Sequence, residues 1–371
     1  MRAKTKGLKE VTVQMVSGAN IATLVMMLLV GYAGRLSPVA HPTLSTLTLG
    51  FPLFMLINVL FAVFWLVFKP RRVIIPVIGF IVSYVPVRAY MPLNVGGDAP
   101  EKSIKVLSYN VMAFHDDGSG DDELHPIIDY ILNSNADIVC LQESNVGAGK
   151  RELYDSLLAK TYLYYDHTLG NAAYDELSVY SKYPVVSIRR VPIESEHNMV
   201  MAYDVVIDGD TVLVVNSHLE TNGMSEHDKR MFREMVTGDV KRDSVREESG
   251  KIFAKLTRSN SIRGVQADVV ADYIESSGRE HVIVCGDFNS DPLSYAHNKI
   301  GENLTDCYIA TANGVGWSYH RSLMYFRIDN IFCSKSFTPY ACRVDSKIKA
   351  SDHYPIYCWL KKNKAKTPVM G

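Results

Sequence analysis

The sequence predicts a mixed α/β domain of two packed β-sheets flanked by helices, preceded by transmembrane helices. Three observations lead there. Charge changes sharply near residue 95, long uncharged apolar runs precede that point, and many short β-rich runs with helical patterns between them follow it. The 371-residue chain has a formal net charge of −1, but the average hides two unlike parts. Residues 1–95 carry nine Lys/Arg and one acid, Glu10, a net of +8, which leaves −9 for the remainder.

The apolar part comes first. Val13–Ala33 and Thr43–Phe68 hold no charge and are long enough to cross a hydrocarbon core of roughly 30 Å. Val73–Val87 is shorter and contains Pro76 and Pro86; it reaches spanning length if Arg88 snorkels and the segment runs on to Leu93. A cleaved signal peptide is the rival reading of the first run, and the second run close behind it favours an anchor. Asn20 and Asn58 are expected to join these helices rather than to move solutes. The basic Arg2–Lys9 start and the Lys69–Arg72 turn are expected to stay in the cytoplasm. Three crossings then place the rest of the chain outside, and two would leave it inside. Residues 1–93 are therefore read as a multi-pass membrane anchor.

Residues 94–103, with Gly96, Gly97 and Pro100, read as a linker, 104–361 as the domain and 362–371 as a tail. The expected strands are Ile104–Tyr109, Asp137–Leu141, Leu177–Ser181, Val185–Val191, Val200–Ile207, Thr211–Ser217, His281–Cys285, Ile328–Cys333, Pro339–Val344 and Ile356–Leu360. Asp208-Gly209-Asp210 is a hairpin turn signal. Ile262, Val265, Val269, Val270, Tyr273 and Ile274 recur at the spacing of one helix face, and Leu124–Leu132 and Glu152–Leu158 are further helices. Gly223–Asn260 is rich in charges of both signs and reads as a solvated helical insertion or flap. None of the six cysteines has metal-ligand spacing; Cys140 and Cys285 read as core residues, and pairing of Cys333 with Cys342 stays open.

Polar residues recur where the apolar strands end: Asn110, Gln142-Glu143, Asn216-Ser217-His218, Gly286-Asp287-Phe288-Asn289 and Ser351-Asp352-His353. Strand ends are rigid, so they suit groups that must be held in place. Any one of these could be an ordinary turn; five in this order resemble the endonuclease/exonuclease/phosphatase superfamily, which shares the deoxyribonuclease I fold. The resemblance runs from about Ile104 to Leu360 and rests on SYNV (108–111), LQE (141–143), SVYSKYPV (178–185), NSHLE (216–220), CGDFNSDP (285–292), RIDNIF (327–332) and SDHYPI (351–356).

The resemblance implies a four-layered α/β sandwich and hydrolysis of phosphate esters assisted by a divalent metal, Mg²⁺ or alternatively Mn²⁺. It implies Glu143 as metal ligand, with Asn110 and Asp352 close by, which agrees with the preference of hard cations for oxygen. Asp287 is the implied base for the attacking water, and Asn289 orients that water or a phosphate oxygen. His353 is the implied phosphate contact, with Asp329 on its other ring nitrogen, and His218 a second donor. Tyr319 is expected to contact the substrate, and Arg263 and Gln266 to have a packing or salt-bridge role. The substrate stays open among DNA, RNA, inositol phosphates, sphingomyelin and other phospholipids. The acidic domain lacks the basic track of a tight nucleic-acid binder, and the anchor implies a bilayer partner; no protein partner is expected. A non-catalytic membrane binding module of the same fold is the alternative class, and the retained Glu143, Asp287, Asp352 and His353 argue against it.

Overall fold

The computed structural model describes residues 2–115, 124–170, 175–239 and 242–364. In chain order the strands are β1 (Ile104–Asn110), β2 (Ile138–Gln142), β3 (Tyr164–Leu169), β4 (Glu176–Ser181), β5 (Val185–Val191), β6 (Val200–Ile207), β7 (Asp210–His218), β8 (Val282–Asp287), β9 (Thr305–Asp306), β10 (Tyr319–Arg321), β11 (Met324–Phe326), β12 (Asp329–Cys333), β13 (Phe337–Val344) and β14 (Ile356–Lys362). One six-stranded sheet has the order β13-β14-β1-β2-β4-β3 and the other β5-β6-β7-β8-β12-β9, while β10 and β11 form a separate hairpin.

Period-two alternation builds the layers. Val106, Ile138, Cys140, Val212, Val214, Ile283, Cys285 and Ile331 meet in one core between the sheets. The opposite faces of the same strands carry Leu213, Val215, Val282 and Val284, which pack with Ala267 and Val270 of the helix Arg242–Ser276. On the other sheet, Leu107, Tyr109, Val139 and Leu141 pack with Ile127, Ile128 and Ile131 of the helix Pro126–Ser134. Each fully buried aliphatic side chain contributes roughly 1.5–3 kcal/mol of burial free energy. The result is helix, sheet, sheet, helix, the expected four-layered sandwich.

The structure adds four strands that the sequence pattern did not mark: β3, β9, β10 and β11. The edge strand β3 has no buried residue in Tyr164–Leu169, so no alternation announced it. The described parts of 223–260 are largely helical, in keeping with the helical insertion rather than the flap. A helix at Glu226–Thr237 starts with a Ser225/Asp228 capping box, and the next helix is continuous with the expected one at 262–274. All six cysteines are buried and free.

Two N-terminal helices, within Lys9–Arg35 and Pro42–Phe68, are long and apolar enough to cross a membrane. The third apolar run is a helix pair, Pro70–Val82 and Tyr84–Tyr90, bent by 72°. Asn20 Nδ2 donates to Asn58 Oδ1 at 2.9 Å and Trp65 Nε1 donates to Asn20 Oδ1 at 3.0 Å, so these polar groups join the first two helices. The apolar region also docks on the sandwich. Thr48 Oγ1 donates to Asp291 Oδ2 at 3.0 Å, Asn260 Nδ2 to Ser45 Oγ at 3.0 Å, and Leu293 enters the cluster of Leu24, Met27, Val30 and Phe51. Asn94, in the stretch read as a linker, is pinned by its amide to the Ile309 carbonyl at 3.1 Å.

Candidate active site

Register brings the polar strand ends to one rim. In β8, Ile283 and Cys285 face the inter-sheet core, so Asp287 two residues on faces the same way. The parallel neighbour β7 sets His218 beside Asp287, and the antiparallel neighbour β12 sets Asp329 on its other side. On the facing sheet, β1 and β2 are parallel and pair Asn110 with Gln142. His353 lies just before β14, which is antiparallel to β1 and so begins at that rim. Where the apolar code of the core stops, its inward register continues in polar residues.

The contacts are short. Asn110 Nδ2 donates to Glu143 Oε1 at 3.0 Å and to Asp287 Oδ2 at 3.2 Å, and its Oδ1 accepts from the Met112 N–H at 3.1 Å. His218 Nε2 lies 3.6 Å from Glu143 Oε1 and 3.8 Å from Asp287 Oδ2. His353 Nε2 is 3.7 Å from Asp287 Oδ2, and its Nδ1 is 2.8 Å from Asp329 Oδ2. The Asn289 N–H donates to Asp287 Oδ1 at 2.8 Å, while its side-chain amide donates to the Leu219 carbonyl at 3.0 Å. Glu143, His218, Asp287, Asn289, Tyr319, Asp352 and His353 line one cavity of about 360 Å³; Asn110 and Asp329 support it through the bonds just given. Tyr319 packs edge-on against the His353 ring at 5.1 Å, and Asp352 Oδ2 is 3.6 Å from Arg321 Nη1.

The backbone is strained at the rim. Glu143 and Asn289 hold φ of +50° and +49°, a region non-glycine residues seldom occupy and which is frequent at functional sites. Gly286 has φ +134°, and a Cβ there would sit 1.9 Å from the Ser217 carbonyl oxygen, so only glycine lets β7 and β8 close up beside the site.

Burial sets the protonation states. It pushes the Asp287 carboxyl up to about 6, against the pull of His353 and His218, and it also raises Glu143. Burial alone would depress His353, but the charges of Asp329 and Asp287 and the Asp329 hydrogen bond override it and lift the imidazole to about 10. His218, without that bond, is lowered by burial. The result is a charged imidazole beside a carboxylate poised near neutrality, with a neutral imidazole opposite.

Sequence reasoning passed over several supporting residues. Gln142 Nε2 donates to Asn216 Oδ1 at 2.7 Å and ties the two sheets together at the rim. Ser318 Oγ accepts from the N–H groups of Ile328 and Asp329, both at 3.0 Å, and Ser351 Oγ donates to the Asn110 carbonyl at 2.8 Å. Gln142, Asn216 and Ser351 stand inside the quoted motifs, so their signal was present; Ser318 and Arg321 had none. Arg263 and Gln266 act through hydrogen bonds to Glu220, Arg263 Nη1 donating to its carbonyl and Gln266 Oε1 accepting from its N–H, each at 2.9 Å. Arg327 does not pair with Asp329; it points to the apolar region and donates to the Ala89 and Tyr90 carbonyls.

Among the described residues, Asp287, Asp329 and His353 offer ligand atoms within 4.8 Å of one another, a group that could hold a metal ion. A two-sheet sandwich with carboxylates and imidazoles converging at one rim has the groups that hydrolysis of a phosphoester needs. The chain belongs to the endonuclease/exonuclease/phosphatase family, whose model matches residues 107–353. A domain of unknown function matches residues 13–90. Among solved structures, an endonuclease/exonuclease/phosphatase from Beutenbergia cavernae is 19% identical, with a TM-score of 0.51 over 71% of this chain and 72% of that one. The human Nocturnin catalytic domain with bound sulfate is 16% identical, with a TM-score of 0.50 over 72% and 96%. A mannosyl-6-phosphatase of Bacteroides thetaiotaomicron is 17% identical, with a TM-score of 0.46 over 70% and 100%. At these identities the likeness is one of fold. No curated protein matches the chain.

Proposed function

We propose that this chain is a membrane-anchored, metal-dependent phosphoesterase that cleaves a phosphodiester or phosphomonoester by in-line attack of water. One observation carries the reading: Glu143, His218, Asp287 and His353 line a single cavity with nitrogen–oxygen separations of 3.6 to 3.8 Å. Asp287 takes the proton of the attacking water, and a pKa of about 6 suits a base at neutral pH. The Asn289 N–H fixes that carboxylate. His353, charged and held by Asp329, donates from Nε2 to a phosphoryl oxygen, and His218 is a second donor as charge develops. Tyr319, packed against the His353 ring, borders the substrate.

The residues fit a hard divalent cation. Glu143 is a partly exposed carboxylate facing the cavity, raised by burial, and has Asp352 near enough to raise it further. We assign Mg²⁺, or Mn²⁺, to Glu143, Asn110 and Asp352 rather than to the Asp287–Asp329–His353 group. There the protonated imidazole already satisfies Asp329 and would repel a cation. When bound, the ion would neutralise charge on the phosphoryl oxygens.

The helices would anchor the chain in a bilayer, with the sandwich outside the cytoplasm. Support comes from the docking contacts, which fall on residues 38–48 and 88–94, the ends away from the basic start and the basic Lys69–Arg72 turn. The test is hydrolysis of p-nitrophenyl phosphate and bis(p-nitrophenyl) phosphate by the full-length protein in detergent, with added Mg²⁺ and an Asp287→Ala control. Absence of any Asp287-dependent turnover would favour a binding module.

A further inference from the structure

We infer that the substrate is an amphiphile: a phosphoester whose apolar tail lies along a wall of the cavity that the membrane anchor completes. This rests on the phosphoesterase reading and names its substrate class.

The sandwich does not enclose the cavity alone. Thr46, Thr48 and Leu49, from the segment joining the first two apolar helices, form part of its wall. The facing part comes from the helices after residue 223, through Phe232, Ile252 and Leu256, and the third part from Met324 and Phe326 on the β11 strand. A phosphoryl head needs the carboxylates, imidazoles and cation at one end. It has no use for Phe232, Ile252, Leu256, Met324 and Phe326, which stand in the lining among polar groups such as Lys229, Asn260 and Arg263 and offer a hydrocarbon chain its apolar contacts.

That lining leads toward the bilayer. A second cavity of about 260 Å³ shares Thr48, Leu49, Phe232, Asp291, Met324 and Phe326 with the first. It extends to Pro52, in the first turn of the second membrane-length helix, and to Tyr90, where the third apolar run ends. The same cavity is bordered by Trp317, Leu323 and Tyr325, which stay 44%, 42% and 45% exposed on and beside the β10–β11 hairpin. Exposed aromatic and aliphatic side chains at the ends of membrane helices fit the bilayer interface. With the helices in a bilayer as proposed, the two adjoining cavities would lead from its surface to Asp287. The helix Phe51–Phe68 is 18 residues long, enough for the hydrocarbon core, so Pro42–Gly50 is free to stand at the surface as a cavity wall. A nucleic acid would meet a domain of net charge −9 instead of a basic track.

The experiment uses full-length protein in phosphatidylcholine vesicles. The probes are p-nitrophenyl phosphodiesters with an ethyl or a hexadecyl chain, and ethyl or hexadecyl phosphate, so that only the tail differs within each pair. The hexadecyl ester is expected to raise kcat/KM about tenfold or more over its ethyl partner. Phe232→Asp and Leu256→Gln are each expected to remove that advantage while leaving the ethyl rate within about twofold, which also reports that the variant is folded. Equal kcat/KM for both tails, with turnover lost in Asp287→Asn, overturns the amphiphile and leaves the phosphoesterase standing. Persistence of the tail advantage in both variants also overturns it, as does faster cleavage of an oligonucleotide than of either hexadecyl ester. Absence of Asp287-dependent turnover on all the probes overturns both readings.

Discussion

Asp329 Oδ2 lies 2.8 Å from His353 Nδ1, joining the first residue of β12 in one sheet to a residue three positions before β14 in the other. The pair sets the pH range of the proposed chemistry. The base Asp287 must be ionised, so the competent form gains above about 6. His353 must be charged, so the competent form is lost as pH rises through about 10. A plot of kcat/KM against pH is expected to be bell-shaped with limbs near those values. Asp329→Asn should move the alkaline limb down by about 1–3 units; an unmoved limb would show that another group titrates there.

Asp287→Asn keeps the shape of the side chain and removes the base. The expected loss in kcat is on the order of 10²–10⁴-fold with KM little changed, read from initial rates on a soluble aryl phosphoester. A rise in KM at constant kcat would make Asp287 a binding group only.

Chelator should abolish turnover and Mg²⁺ restore it. Asn110 is itself a proposed ligand and also donates to Glu143 and Asp287, so Asn110→Ala removes one ligand and frees the Glu143 carboxylate. The half-saturating Mg²⁺ concentration should then rise roughly 10–100-fold, as for other groups that orient a metal ligand. An unchanged Mg²⁺ titration would move the cation away from Glu143.

Gly286→Ala tests the tight approach of β7 and β8. Its Cβ would lie 1.9 Å from the Ser217 carbonyl at a φ of +134°, so the strands must part. A destabilisation of about 2–4 kcal/mol is expected in thermal or denaturant unfolding, together with loss of the His218–Asp287 register. A melting temperature equal to wild type would contradict this close packing.

Thr48→Val removes the hydroxyl that donates to Asp291, a half-buried carboxylate four residues after Asp287. Leaving that acceptor short of a donor should cost about 1–3 kcal/mol and lower kcat through the loop carrying Asn289. Thr48→Ser should restore both. Full activity in Thr48→Val would mean that the anchor is only a tether.

The amino-acid order alone determined the step in charge near residue 95, the apolar runs, and the alternating strands whose inward register ends in Asn110, His218, Asp287 and Asp329. These are local properties: side-chain period and composition are written in neighbouring residues. The resemblance of seven short motifs pointed to the family and to the residues proposed for its chemistry. Tertiary structure alone decided the rest. Asp287, Asp329 and His353 become one charge system because strand pairing sets Asp329 beside Asp287 and packing of the other sheet brings His353 against both. β3 was hidden because an edge strand with no fully buried residue lacks alternation. The charged stretch 223–260 became a cavity wall because a few apolar residues, Phe232, Ile252 and Leu256, turn inward among many solvated charges. The docking of Thr48 on Asp291 was equally invisible, since a hydrogen bond between residues 243 positions apart leaves no periodic trace in either segment.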